Sequence, residues 1–115
     1  MIVLYKILPA AAAGRGVGAS VPWSDDDRRD GFMHLSTAAQ VLETANRHFA
    51  GQPSLVALEI DAALVEGDLR YETSRGGALF PHLYGALKRE AVVAVRALVK
   101  DDEGKFAFAA GDGGQ

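Results

Sequence analysis

The chain has 115 residues, 49% of them hydrophobic, and a formal net charge of -3 at pH 7. This length suits one domain, and the acidic balance without a basic stripe argues against DNA as a partner. Disulfides and thiolate metal sites are excluded because the chain contains no cysteine. No stretch resembles a signal peptide or a membrane span, so we expect a cytoplasmic protein with no membrane partner.

The first predicted element is a strand over residues 2–8, which are nearly all aliphatic or β-branched and therefore suit burial on both faces. Pro9 and the alanines after it predict a short helix that Gly14 ends. Residues 14–19 match a dinucleotide-binding glycine pattern. That loop must follow a strand and open a helix, whereas here it follows alanines and leads into residues 20–23, which are unsuited to a helix. We therefore reject a Rossmann-type fold.

Residues 24–30 form a charged segment, Ser-Asp-Asp-Asp-Arg-Arg-Asp. The pattern favours a solvated loop or one helical turn that Ser24 caps. The functional alternative places Arg28 or Arg29 beside the next histidine in the chain, where the guanidinium would hold a phosphate or carboxylate.

The next stretch predicts a short strand over residues 31–35 that leads directly into a helix over residues 37–49. The strand is apolar apart from His34. Thr37 and Gln40 have the spacing of a capping box, so we expect helix N–H groups beside His34 and Ser36, where small anions commonly bind. The helix has one apolar stripe with a Glu43–Arg47 pair opposite it. The stripe consists of Ala38, Val41, Leu42, Ala45 and Phe49.

The second half of the chain predicts strands at residues 55–61, 69–72, 91–99 and 105–109. Those at 2–8, 31–35, 55–60 and 91–98 are expected to form the core. Residues 73–78 resemble a flexible loop that covers a ligand. In the segment 80–85, Pro81 restricts the chain before His82, and Tyr84 with Gly85 permits a tight turn. We expect one domain over residues 1–110 and a disordered tail over 111–115.

Three residues are candidates for catalysis, His34, Glu72 and His82, and four for cofactor binding, Ser36, Arg70, Arg75 and Tyr84. We expect them to line one pocket, with Arg75 on a mobile flap. The alternative is that both histidines are hydrogen-bonded core residues. Three histidines and Glu72 can in principle bind zinc, but no H-x-H or H-x-x-x-H spacing is present, so we expect no metal. A serine hydrolase is disfavoured because no G-x-S-x-G turn occurs.

Two motifs carry a resemblance to a known family. Gly31-Phe32-Met33-His34-Leu35-Ser36-Thr37 and Phe80-Pro81-His82-Leu83-Tyr84-Gly85 resemble the paired signatures of a bacterial family, domain of unknown function 952. The resemblance extends from Met1 to about Leu98. It implies a fold similar to that of ADP-ribosylating toxins, poly-ADP-ribose polymerases and RNA 2′-phosphotransferases. That fold is α+β, with a split mixed or antiparallel sheet and two or three short helices.

The resemblance also implies roles for the candidate residues. In the transferases of that fold, a strand histidine holds the ribose of NAD, an aromatic residue stacks on nicotinamide, and a glutamate stabilises the oxocarbenium-like transition state. These roles would fall to His34, to Tyr84 or Tyr71, and to Glu72, with NAD or a related nucleotide as the ligand.

The phosphotransferases imply a second arrangement, in which histidine and several arginines contact an RNA 2′-phosphate. Arg28, Arg29, Arg70 and Arg75 are available for it. The transferases usually have a glycine after the strand histidine, where this chain has Leu35. That departure leaves open a non-catalytic small-molecule binding module on the same fold.

Overall fold

Eight strands and two α-helices are formed by the residues that the computed structural model describes, 1–12 and 20–109. In chain order they are β1 (Val3–Pro9), α1 (Asp25–Asp30), β2 (Met33–His34), β3 (Ser36–Thr37), α2 (Val41–His48), β4 (Leu55–Asp61), β5 (Leu69–Thr73), β6 (Leu79–Leu83), β7 (Val92–Lys100) and β8 (Phe106–Phe108). Single 3-10 turns, among them Ala10–Ala12 after β1, connect several of these elements. The glycine-rich stretch 14–19 and the predicted tail lie outside the described residues.

The larger sheet has five strands in the order β3-β1-β4-β7-β8, and every described pairing is antiparallel. Strand β1 pairs with β4 along its whole length, from Val3 opposite Asp61 to Pro9 opposite Leu55. Residues 4–8 are all buried, because helix or sheet covers both faces of the strand. The predicted strand that is buried on both faces is therefore confirmed.

The smaller sheet has three strands in the order β2-β6-β5, again antiparallel. The chain passes from this sheet to the larger one at Leu35, since β2 pairs with β6 while β3 pairs with β1. The backbone N–H of Leu35 donates to the carbonyl of Pro81, with 3.0 Å between nitrogen and oxygen. A small α+β domain with a split sheet is thus confirmed, and the sheets are antiparallel rather than mixed.

Two apolar clusters form the core, one on each face of the larger sheet. The first lies between the two sheets and includes Leu4, Leu58 and Leu83. The second lies under α2 and includes Val41 and Leu98. Since β1 and β4 contribute to both clusters, these two strands are the structural centre of the domain.

The predicted start of the second helix is wrong. Helix α2 begins at Val41 rather than Thr37, because residues 36–37 pair with β1 as a strand. Gln40 Oε1 does accept the backbone N–H of Thr37 at 3.1 Å, but no side chain caps the helix. The helix N-terminus therefore does not lie directly after His34, which is the position that the predicted anion site requires.

None of the helices that the described residues form has the length and apolar character that a membrane-spanning helix requires.

Candidate functional site

The two predicted histidines lie opposite each other in the smaller sheet. The register of β2 with β6 pairs His34 with His82, and that of β6 with β5 pairs His82 with Arg70. The ring centroids of the two histidines are 5.8 Å apart. Phe32 stacks on His82 at 4.0 Å and is tilted against His34 at 4.7 Å and Tyr84 at 5.1 Å. The two sequence motifs therefore build one cluster of rings.

Two carboxylates hold the ring of His34. Asp27 Oδ1 accepts the backbone N–H of His34 at 3.1 Å and lies 2.7 Å from its Nδ1. Asp30 Oδ2 lies 2.8 Å from Nε2. The hydrogen bond to Asp27 raises the pKa of His34 despite partial burial, and Asp30 adds to this rise. With both nitrogens facing carboxylates, the geometry favours the imidazolium, in which each nitrogen donates.

Asp27 is fully buried and forms an ion pair with Lys6, itself only 4% exposed, at 2.6 Å between Oδ2 and Nζ. Ser24 caps α1, and the same Oδ2 accepts the Ser24 backbone N–H at 3.0 Å, which completes a capping box. Burial alone raises the pKa of Asp27, but the hydrogen bond from His34 and the Lys6 ammonium outweigh it and hold this pKa well below its usual value. Burial lowers the pKa of Lys6, and Asp27 opposes that effect. Asp27 is therefore an ionised group that fixes α1, β1 and His34 relative to one another.

A third carboxylate, that of Glu72, holds His82. Glu72 Oε1 lies 2.7 Å from His82 Nδ1 and accepts the hydroxyl of Tyr84 at 2.6 Å. The Arg70 guanidinium carbon lies 5.7 Å from the centroid of the Tyr84 ring. The hydrogen bonds from Tyr84 and then His82 lower the pKa of Glu72, and donation to Glu72 raises the pKa of Tyr84. Because Glu72 engages Nδ1, any ligand contact of the His82 ring is made through Nε2 or the ring surface.

A cleft of about 540 Å³ opens beside these rings. Of the predicted residues, His34, Ser36 and His82 line it, whereas Arg70, Glu72 and Tyr84 do not. The others on its wall include Lys6, Asp27, Arg29, Asp30, Thr44, Arg47, Ser74 and Phe80. Arg75 begins the 3-10 turn Arg75–Gly77 at the same wall, and its side chain lies outside what the structure describes.

The family profile described as Protein of unknown function (DUF952) matches residues 8–95, a range that contains both histidine motifs. The chain belongs to this family. No curated protein matches it.

Among solved structures, the DUF952 chain is similar to protein CC0527 from Caulobacter crescentus, at 40% sequence identity. A crystal structure of that protein has a TM-score of 0.84, with 91% of this chain and 93% of that chain covered. A crystal structure of its double mutant gives the same values. A solution NMR structure of CC0527 has a TM-score of 0.75 and covers 91% of each chain.

Asp27, Asp30 and Lys6 are the residues of this DUF952 site that the sequence analysis missed. The helical turn capped by Ser24 is confirmed, but the charged side chains beside the nitrogens of His34 are the two aspartates, not an arginine. Three signals were present in the sequence. Lys6 lies in an apolar strand and needs a buried partner, Asp27 is three residues after its N-cap, and Asp30 precedes His34 by four.

The arginines of α1 pair with its acids. Arg28 pairs with Asp25 and donates to the carbonyl of Trp23, and Arg29 pairs with Asp26 and Asp30.

Within residues 1–12 and 20–109, no group of three or more histidine and acidic side chains has an arrangement that can hold a metal ion.

Proposed function

We propose that this DUF952 protein binds a small molecule of the nucleotide class in the cleft beside His34 and His82, with NAD or ADP-ribose as the first candidates. One observation carries the proposal: two histidines, each held by a carboxylate, line a single cleft of about 540 Å³. That volume falls within the range of about 300–1,000 Å³ typical of small-molecule sites.

The chemistry of the wall suits such a ligand. Phe80 and the partly exposed ring of His34 offer surface for a planar base, and the hydroxyl of Thr44 offers a hydrogen bond to a sugar. Ser36 and His82 lie on the same wall but are nearly buried. Both nitrogens of the His34 ring are engaged by Asp27 and Asp30, so this ring meets a ligand through its face or after one of the carboxylates moves away. The ADP-ribosylation fold that the two sequence motifs imply would favour the same class of ligand.

Turnover is the second candidate function, and Glu72 favours it. Its carboxylate is ionised and oriented by Tyr84 and His82, as a group that stabilises developing positive charge on a sugar must be. Two features favour binding without chemistry. Glu72 does not line the cleft, and Leu35 follows His34 where the transferases have glycine. Binding is therefore our conclusion, and an ADP-ribosyl-transfer-like reaction is the alternative.

A thermal-shift screen with NAD, ADP-ribose, nucleoside phosphates and divalent metal ions tests binding. A ligand at about 100 times its Kd stabilises the fold by about 2.7 kcal/mol, which raises the Tm of a small domain by several degrees. We expect this shift with NAD or ADP-ribose in the wild type, and its loss in His34→Ala. No shift with any nucleotide refutes the proposal, and a shift with zinc alone indicates a metal site instead.

Release of nicotinamide from NAD tests turnover. We expect any slow release to disappear in Glu72→Gln and to persist in Glu59→Gln. Glu59 is a matched control because it also accepts a tyrosine hydroxyl, that of Tyr5 at 2.9 Å, but lies in β4 of the larger sheet, whereas Glu72 contacts His82 on the cleft wall. Binding of NAD without release of nicotinamide in the wild type refutes the catalytic alternative and leaves the binding function intact.

A further inference from the structure

We infer that the carboxylate of Asp30 occupies the position of an oxyanion of the ligand, and that a singly charged carboxylate or phosphodiester group displaces it to bind His34 and Arg29. This inference rests on the proposed function and deepens it, because it assigns a chemical group of the ligand to two named cations.

The contacts of Asp30 define this anion position. Its Oδ2 lies 2.8 Å from His34 Nε2 and 3.3 Å from Arg29 Nη2, and its Oδ1 accepts from Arg29 Nε at 3.0 Å. One carboxylate thus bridges an imidazole and a guanidinium, and all three side chains line the cleft. A guanidinium fork beside a second charged donor is an arrangement that carboxylate and phosphate groups match well.

Asp30 is held far less firmly than Asp27, the other carboxylate on the same ring. The Asp30 side chain is 31% exposed and the Arg29 side chain 67%, whereas Asp27 is fully buried. Exposed ion pairs of this kind contribute little to stability. The Asp30 carboxylate can therefore rotate into solvent at lower cost than that of Asp27, which stays in place.

The charge of the group that can bind follows from the charged side chains that remain near His34 and Arg29 after the Asp30 carboxylate has rotated away. Once the displaced carboxylate faces solvent, three cations, Lys6, Arg29 and the His34 imidazolium, face two carboxylates. These are Asp27, paired with Lys6 at 2.6 Å, and Asp26, whose Oδ1 lies 3.0 Å from Arg29 Nη1. One positive charge is left over. The subsite therefore suits a carboxylate or a phosphodiester, each with one negative charge, better than a phosphate monoester with two.

The test is a titration of the full chain with acetate, dimethyl phosphate and inorganic phosphate, followed through the NMR signals of the His34 ring. We expect Asp30→Asn to bind the two singly charged probes about two- to fivefold more tightly than the wild type, since it removes one exposed competing charge. Asp30→Ala, which also removes the competing oxygens, should bind at least as tightly. Adding Arg29→Gln to either Asp30 variant should abolish the gain in affinity for the probes.

Asp25→Asn is the matched control, because Asp25 belongs to the same helix but pairs with Arg28, and it should bind like the wild type. Weaker binding in Asp30→Asn and Asp30→Ala, or an equal gain in Asp25→Asn, overturns the inference. These outcomes are separable from failure of the proposed function. If NAD or ADP-ribose raises the Tm and His34→Ala abolishes this rise, while both Asp30 variants bind the probes more weakly, only the anion position at Asp30 is refuted. If the Asp30 variants bind the probes more tightly but no nucleotide raises the Tm, only the proposal of a nucleotide ligand is refuted.

Discussion

The substitution Asp27→Asn tests the buried ion pair that organises the site. It removes one negative charge and leaves the Lys6 ammonium, which is 4% exposed, without a counter-ion. Breaking a buried ion pair from one side costs about 3–5 kcal/mol, because the remaining charge cannot reach water. Since domains of this size unfold with about 5–15 kcal/mol in total, the variant should lose a large share of its stability.

The carboxylate also accepts the backbone N–H groups of Ser24 and His34, and an asparagine has only one oxygen to replace two. We therefore expect a loss near the upper end of that range. The measurement is urea denaturation at pH 7 of the wild type, Asp27→Asn and Asp25→Asn, an exposed acid of the same helix. Adding Lys6→Met to Asp27→Asn should recover part of the loss, because it removes the uncompensated charge.

A loss below about 1 kcal/mol in Asp27→Asn would refute this reasoning, because it would place the pair in the range of exposed ion pairs. The absence of any recovery with Lys6→Met would refute it in a second way, since the cost would then come from lost hydrogen bonds rather than from the buried charge. Asp25→Asn should change the free energy of unfolding by less than about 0.5 kcal/mol.

Three further predictions concern pH, backbone strain and ring packing. The hydrogen bond to Asp27, then the Asp27 charge and the hydrogen bond to Asp30, raise the pKa of His34. The contribution of His34 to stability is therefore complete below about pH 6.5 and is lost as pH rises through the folded-state pKa; urea midpoints should fall over that range, and His34→Gln should remove the fall. Gly31→Ala should cost about 1 kcal/mol, since Gly31 has φ +83° with nothing within 4 Å of an added Cβ; a loss no larger than that of Gly51→Ala, measured by the same denaturation, would contradict a purely backbone cause. Phe32→Ala should cost about 2 kcal/mol through lost ring contacts, and an unchanged midpoint would contradict it.

The strands could be predicted because their patterns are strong. Residues 2–8, 55–61 and 91–99 are apolar and β-branched over lengths that suit strands, and each lies in the larger sheet within one or two residues of the predicted bounds. The start of α2 could not be predicted. The capping spacing of Thr37 and Gln40 is a local signal, and pairing of residues 36–37 with β1, a contact distant in sequence, overrides it.

The site was predicted in part for a similar reason. The two motifs identified both histidines, but only the strand register places His34 opposite His82. The role of Asp27 depends on its ion pair with Lys6, which lies 21 residues earlier in the sequence. In the sequence that aspartate is one of several charges in a run, and such runs are usually solvated. Charge alone therefore does not distinguish a buried acid from its exposed neighbours.

The sheet crossing at Leu35 has a consequence for how the protein responds to a ligand. Residues 33–34 pair with β6 of the smaller sheet, and residues 36–37 pair with β1 of the larger sheet. The extended segment 33–37 therefore holds the two sheets in a fixed position relative to each other. A hinge motion that narrowed the cleft would have to break one of these pairings. The backbone should therefore superimpose closely before and after binding, as in pre-organised complexes, with adjustment confined to side chains such as Asp30.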